Sequence, residues 1–187
     1  MDLETPRGEP EITAIRDLGS VPLIMNKPLK HAKADGTAVV GELLVIRGKN
    51  LGRQPTVAFG TKPMSILART EDGGIVVRTP AASTPGRLRV SVTHDRGSAG
   101  KLMTLKRYGL AVIPGLPGIQ VLDVGTKDVK PVGKPLLATN PGFIEMHRQG
   151  TVAYATTTAK NPRLLVIDLA AAGGPKMVNQ RKLGMWK

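Results

Sequence analysis

Residues 41–60 read Gly-Glu-Leu-Leu-Val-Ile-Arg-Gly-Lys-Asn-Leu-Gly-Arg-Gln-Pro-Thr-Val-Ala-Phe-Gly, and no stretch constrains the fold of this chain more. An apolar run enters a Gly48-Lys-Asn-Leu-Gly52 turn, and a second short strand closes on Phe59-Gly60. Glycine and asparagine tolerate left-handed backbone, and the flanking residues are β-branched or aromatic, so this is a strand-turn-strand unit. No stretch of the chain carries ten residues of helical periodicity. An all-β protein is the expectation.

The neighbouring residues extend the pattern. Pro10-Glu-Ile-Thr-Ala-Ile reads as an entering strand, with Ile12 and Ile15 apolar. Strands are also expected at Thr56–Phe59, at Ser65-Ile-Leu-Ala and at Ile75–Thr79, which Pro80 ends. In Arg87–Thr93, Leu88, Val90 and Val92 fall on one face and Arg87, Arg89, Ser91 and Thr93 on the other, the period of a half-buried strand. A last strand at Lys101–Tyr108 makes about seven, at sandwich spacing. Aromatic residues are only 3% of the chain, so the core must rest on Val, Ile, Leu and Met.

The ordered series Pro-x-Ile-x-x-Ile, Val45-Ile-Arg-Gly-Lys-Asn-Leu-Gly, Val57-Ala-Phe-Gly, Ile75-Val-Val-Arg-Thr-Pro and Gly86-Arg-Leu-Arg-Val-Ser-Val resembles an IPT/TIG domain. The resemblance implies an immunoglobulin-like β-sandwich and covers about a hundred residues. Residues 17–38 are longer than the short Pro/Gly turn usual in that family, which leaves the path of the first strand pair open.

From about Pro114 the pattern changes. Gly118-Ile-Gln-Val-Leu-Asp-Val aligns with Arg163-Leu-Leu-Val-Ile-Asp-Leu, placing Val121 on Val166 and Asp123 on Asp168, 45 residues apart. That offset is within the range of one propeller blade. Two further strands are expected between them, at Pro141-Gly-Phe-Ile-Glu-Met and Gly150-Thr-Val-Ala-Tyr-Ala. The segment resembles β-propeller repeats of the surface-layer and lactonase type. One blade and part of a second leave edges and an apolar face that further blades or a partner must cover. The chain is therefore expected to be a fragment of a longer protein, with Trp186 otherwise exposed near the end. The division expected is a tail at 1–9, a sandwich at 10–109, a Pro/Gly linker at 110–117 and the incomplete propeller-like segment at 118–187.

Little in the sequence points to chemistry. With no cysteine there are no disulfides, thiolate metal sites or cysteine nucleophiles. His31, His94 and His147 lie far apart without a second ligand at metal spacing, and each reads as a surface or turn residue. Ser91, His94 and Asp95 have the residue types of a triad, but positions this close in one strand end cannot converge. Gly97-Ser-Ala-Gly-Lys-Leu lacks the spacing and the hydroxyl of a phosphate loop and reads as a hairpin turn. Asp123 and Asp168 read as turn-capping carboxylates. No catalytic residue, cofactor or metal is expected, and no apolar run is long enough to span a bilayer.

The net charge of +13 raises the prospect of an anionic partner. It is diffuse: residues 10–109 carry 16 Lys+Arg against 7 Asp+Glu, residues 110–187 carry 10 against 4, and no basic cluster exceeds three residues. The anion- or partner-binding candidates are Arg87 and Arg89 on one strand face, joined by Arg78 on the preceding strand. The alternative reading of these arginines is a solvated face that protects an edge. With the family resemblance, these features lead to a non-catalytic binding or structural module of a bacterial extracytoplasmic or cell-surface protein, contacting protein or anionic polysaccharide. The visible N-terminus carries no signal peptide. The alternatives are a basic nucleic-acid-binding domain, for which interleaved aromatics are missing, and a fragment of a propeller enzyme whose active site lies outside this chain.

Overall fold

The computed structural model describes residues 8–19, 34–113, 117–125, 128–138, 140–158, 160–171 and 173–183. His31, Trp186, the first seven residues and the middle of the 17–38 insertion lie outside them. The fold is all-β, an immunoglobulin-like sandwich followed by an incomplete propeller-like segment.

Nine strands build the sandwich. One sheet has the order β1 (Glu11–Gly19), β3 (Leu43–Lys49), β7 (Ile75–Arg78), β6 (Ile66–Arg69). The other has the order β2 (Thr37–Val39), β9 (Gly97–Lys106), β8 (Gly86–His94), β4 (Thr56–Phe59), β5 (Lys62–Met64). The alternation read in Arg87–Thr93 is realised: Val90 and Val92 are fully buried, while Arg87, Arg89 and Thr93 are exposed. Leu44, Ile46, Val57, Phe59, Ile75, Val77, Met103 and Leu105 fill the space between the sheets with them. Each fully buried side chain of this size contributes about 1.5–3 kcal/mol, which is how a core of few aromatics suffices.

Two short strands, β2 and β5, were not foreseen. At three residues each they lack a readable period. β2 follows the long insertion and pairs in parallel with β9, Thr37 opposite Thr104, while β1 pairs antiparallel with β3.

The expected linker at 110–117 needs correction. Tyr108–Val112 is a strand, β10, and it pairs with β11 (Ile119–Asp123), which pairs with β12 (Lys130–Leu136). Pro and Gly at 114–118 signalled a boundary, but β10 and β11 on either side pair antiparallel in one sheet. The sandwich accordingly ends at Lys106 with β9. A four-stranded meander follows in chain order: β13 (Pro141–Met146), β14 (Val152–Thr157), β15 (Arg163–Asp168), β16 (Lys176–Lys182).

These two sheets share a second core, built from Ile119, Val121, Ala153, Ala155, Leu165 and Ile167 together with Tyr108 and Val39. Val39 belongs to the sandwich strand β2, whereas its neighbour Val40 packs in the first core. The chain thus feeds both cores at one turn. Asp123 Oδ1 accepts the Gly125 N–H at 3.0 Å, and Asp168 Oδ1 accepts the Ala170 N–H at 2.9 Å. The two aligned aspartates therefore close equivalent turns, as expected of them.

Candidate binding surfaces

The Gly48–Gly52 turn is held from both sheets. Asn50 and Gly52 adopt positive φ, 52° and 74°. Arg69 of β6 donates to the Gly52 and Arg53 carbonyls at 2.5 and 2.9 Å. From β8, the His94 Nε2–H donates to the Asn50 carbonyl at 2.7 Å, and Nδ1 accepts the Arg96 N–H at 3.0 Å. With a side chain only 5% exposed, His94 is a turn histidine but not a surface one. Its ring lies beside Gly52 at ordinary contact distance, and the positive φ there, not the ring, is what calls for glycine. The Asn50, Gly52 and Arg53 carbonyls and the Asn50 side-chain amide, which donates to the Glu9 carbonyl, are thus engaged in holding the sandwich.

The three candidate arginines separate. Arg87 and Arg89 project from the exposed face of β8, opposite Thr104 and Leu102 of β9. Leu102 is 52% exposed on this face, and beyond it the face is small and polar, with Ser91 opposite Gly100 and Thr93 opposite Ser98. Arg89 lies across Gly100, where a Cβ would fall 2.0 Å from Arg89 Nε. Neither guanidinium has a hydrogen bond or ion pair among the described residues. β8 runs between β9 and β4, so these arginines do not guard an edge.

Arg78 is in the other sheet, on β7. Its Nη1 donates to the Gly41 carbonyl at 2.9 Å and to Gln149 Oε1 at 3.2 Å, joining the sandwich to the turn between β13 and β14. The two backbones nearly touch there: a Cβ on Gly41 would fall 1.6 Å from the Gln149 carbonyl oxygen. Adjacent strands in the sequence do not imply a shared face, because consecutive strands of a sandwich can belong to opposite sheets.

Beside this joint lies a cleft of about 640 Å³ that the sequence did not reveal. Asp17, Asp35, Glu42, Lys106, Tyr108 and Leu169 are among its walls. Glu42 Oε2 accepts the Val39 N–H at 2.8 Å, and Asp35 Oδ1 accepts the Thr37 N–H at 2.8 Å. Asp17 Oδ1 is shielded from solvent and has no hydrogen-bond partner among the described residues. Burial, then the charge of Asp35, pushes the Asp17 carboxyl up to about 6, against a backbone hydrogen bond that lowers it. Burial, then the charges of Asp123, Glu42 and Asp35, raises the Tyr108 phenol. Such walls suit a hydrogen-bond donor or a cation, and the Thr37 hydroxyl among them donates to Asp35 Oδ1 at 2.7 Å. One signal was legible, a glutamate at the head of the apolar run 42–47. Asp17 and Asp35 are brought together only by tertiary structure.

Among the described residues no three His, Asp or Glu side chains converge as a metal site, and no helix is long and apolar enough to cross a membrane.

Residues 34–106 match the IPT/TIG domain family, which spans β2 through β9 of the sandwich. That family points to a non-catalytic binding or structural module. No curated protein matches the chain. Among solved structures, a structural-genomics protein of unknown function from Bacteroides thetaiotaomicron VPI-5482 is similar at 12% identity and a TM-score of 0.38, over 95% of this chain and 50% of that one. A protein from the same organism, with a provisional phosphatase assignment, is similar at 12% identity and a TM-score of 0.30, over 84% of this chain and 48% of its own. An auxiliary nutrient binding protein from Bacteroides ovatus ATCC 8483 gives 10%, 0.29, 79% and 69% respectively. The chain spans about half the length of the first two. Likeness at this level defines neither fold nor function.

Proposed function

We propose that this chain is a non-catalytic binding module of a bacterial extracytoplasmic or cell-surface protein. In this reading it contacts an anionic polysaccharide or an acidic protein surface through the outer face of β8 and β9. The carrying observation is the pair Arg87 and Arg89, exposed on one strand face without partners among the described residues. Two guanidiniums two residues apart present parallel N–H forks to sulfate, phosphate or carboxylate groups. Arg78 contributes here as the joint that fixes the sandwich on the following sheets. The propeller-like segment, running from Tyr108, acts as the mount on which the sandwich is carried.

Titration with a sulfated polysaccharide and with an uncharged glucan of equal length tests this reading. The expected result is binding of the sulfated chain alone, weakened at least tenfold in Arg87→Ala/Arg89→Ala with an unchanged melting temperature. Equal binding by the double variant would overturn it. The net charge of +13 favours a second reading, nucleic-acid binding. Sequence-selective binding of labelled duplex with a steep salt dependence would establish that reading instead.

A further inference from the structure

Strand β1 places Ile15 in the first core, and the next position on the same face is Asp17. Its partner across the ladder is Leu44, which also belongs to that core. Period and pairing thus turn a carboxylate inward near the end of β1, onto the cleft between sandwich and meander. An apolar side chain would be the less costly occupant of such a position. Tyr108 is a second group of this kind. It is 6% exposed, packs in the second core and lines the same cleft, yet its hydroxyl has no hydrogen-bond partner among the described residues. A buried tyrosine hydroxyl usually has one. The neighbouring acids are different, because Asp35 and Glu42 cap the edge strand β2 through the Thr37 and Val39 N–H groups.

We propose that this cleft binds a primary ammonium group on an apolar stem, with Asp17 as counter-ion, Tyr108 as hydrogen-bond acceptor and the stem against Val132 and Leu169. The charge supports it: in a chain of net charge +13, Asp17, Asp35 and Glu42 meet one cation, Lys106, among the lining residues. Among the described residues Lys106 forms no ion pair with them. A volume of about 640 Å³ is in the range of small-molecule sites. A guanidinium fits less well, because no carboxylate here presents both oxygens to a planar fork. A backbone hydrogen bond engages the Asp17 carboxyl, Asp35 Oδ1 holds Thr37, and Glu42 Oε2 holds the Val39 N–H. An ammonium, with three radiating donors, needs only one oxygen from each partner. The site is independent of the arginine face of β8.

Calorimetric titration with hexylamine and with hexanol at pH 7.5 tests the proposal. Hexylamine is expected to bind, and hexanol about tenfold more weakly or not at all. Asp17→Asn should weaken hexylamine binding about tenfold and Tyr108→Phe about threefold, with the circular dichroism of the parent. Arg87→Ala/Arg89→Ala should bind it as the parent does. Asp17 titrates near 6 with Asp35, Glu42, Lys106 and Tyr108 facing the same cleft. Affinity for hexylamine should therefore fall about tenfold from pH 7.5 to pH 5, and less than about twofold in Asp17→Asn. Equal binding of hexylamine and hexanol, or equal binding of hexylamine by Asp17→Asn, overturns the proposal. Binding seen only after Lys106→Met also overturns it, because the cleft's own lysine is then the occupant. Nα-acetyl-lysine N-methylamide separates the sources. If it binds more tightly than hexylamine the ligand is a lysine side chain of a partner protein, and the reverse order makes it a free amine; both orders support the site.

Discussion

Gly48 shows how much a single side chain can decide. A Cβ there would lie 1.9 Å from the Glu11 carbonyl oxygen, because β1 passes directly over it in the pairing of Ile12 with Gly48. Gly48→Val must separate those strands or shift the turn, and overpacking of this kind costs roughly 3 kcal/mol. Urea unfolding should show that loss. Polysaccharide binding by the folded fraction should persist, because the turn is a fold determinant; unchanged stability with lost binding would make it a site. Asp17 makes the second prediction at this scale. Its folded pKa, about 6, lies above the 3.8 of an ordinary aspartate, so the folded state holds the proton more tightly. Its stability contribution is then complete below about pH 4 and is lost as pH rises through 6. Asp17→Asn should stabilise the protein by about 1 kcal/mol at pH 7.5, discounted for solvent screening, and by almost nothing at pH 3.5. Chemical denaturation at the two pH values checks the sign.

At the scale of elements, β8 was the most legible part of the chain and β2 among the least. Period-two alternation from Arg87 to Thr93 identified the inward and outward residues of β8 without any tertiary information. Three-residue strands carry no period, and β2 forms only because β9 offers it an edge. The arginine face depends on its neighbour in the same way. Gly100 leaves room for Arg89 to lie flat, so Gly100→Ala should lift that guanidinium from the sheet. Binding of the sulfated polysaccharide is expected to weaken about threefold, with a small change in melting temperature. Calorimetric titration of the variant beside Arg89→Ala checks this, since both should lose the same contact.

At the scale of the molecule, the joint decides how the protein unfolds. Val39 packs in the second core, Val40 in the first, Gly41 abuts Gln149, and Arg78 bonds to both sides of the contact. Sandwich and meanders should therefore unfold together, and native-state hydrogen exchange should give the slowest amides of β8 and β15 the same opening free energy. In Gly41→Ala, where φ is 81° and the added methyl meets backbone, the two free energies are expected to separate. The sequence by itself determined the all-β class, the core-facing residues of the long strands, the turn at Gly48–Gly52 and the 45-residue correspondence of Asp123 with Asp168. Those are local properties, written in side-chain period and in residues that tolerate unusual backbone. Only the tertiary structure decided that Arg78 leaves the arginine pair, that Tyr108 opens a new sheet, and that Asp17 and Asp35 meet in a cleft. Each of these depends on which sheet a strand joins, a choice made by packing between residues far apart in the chain.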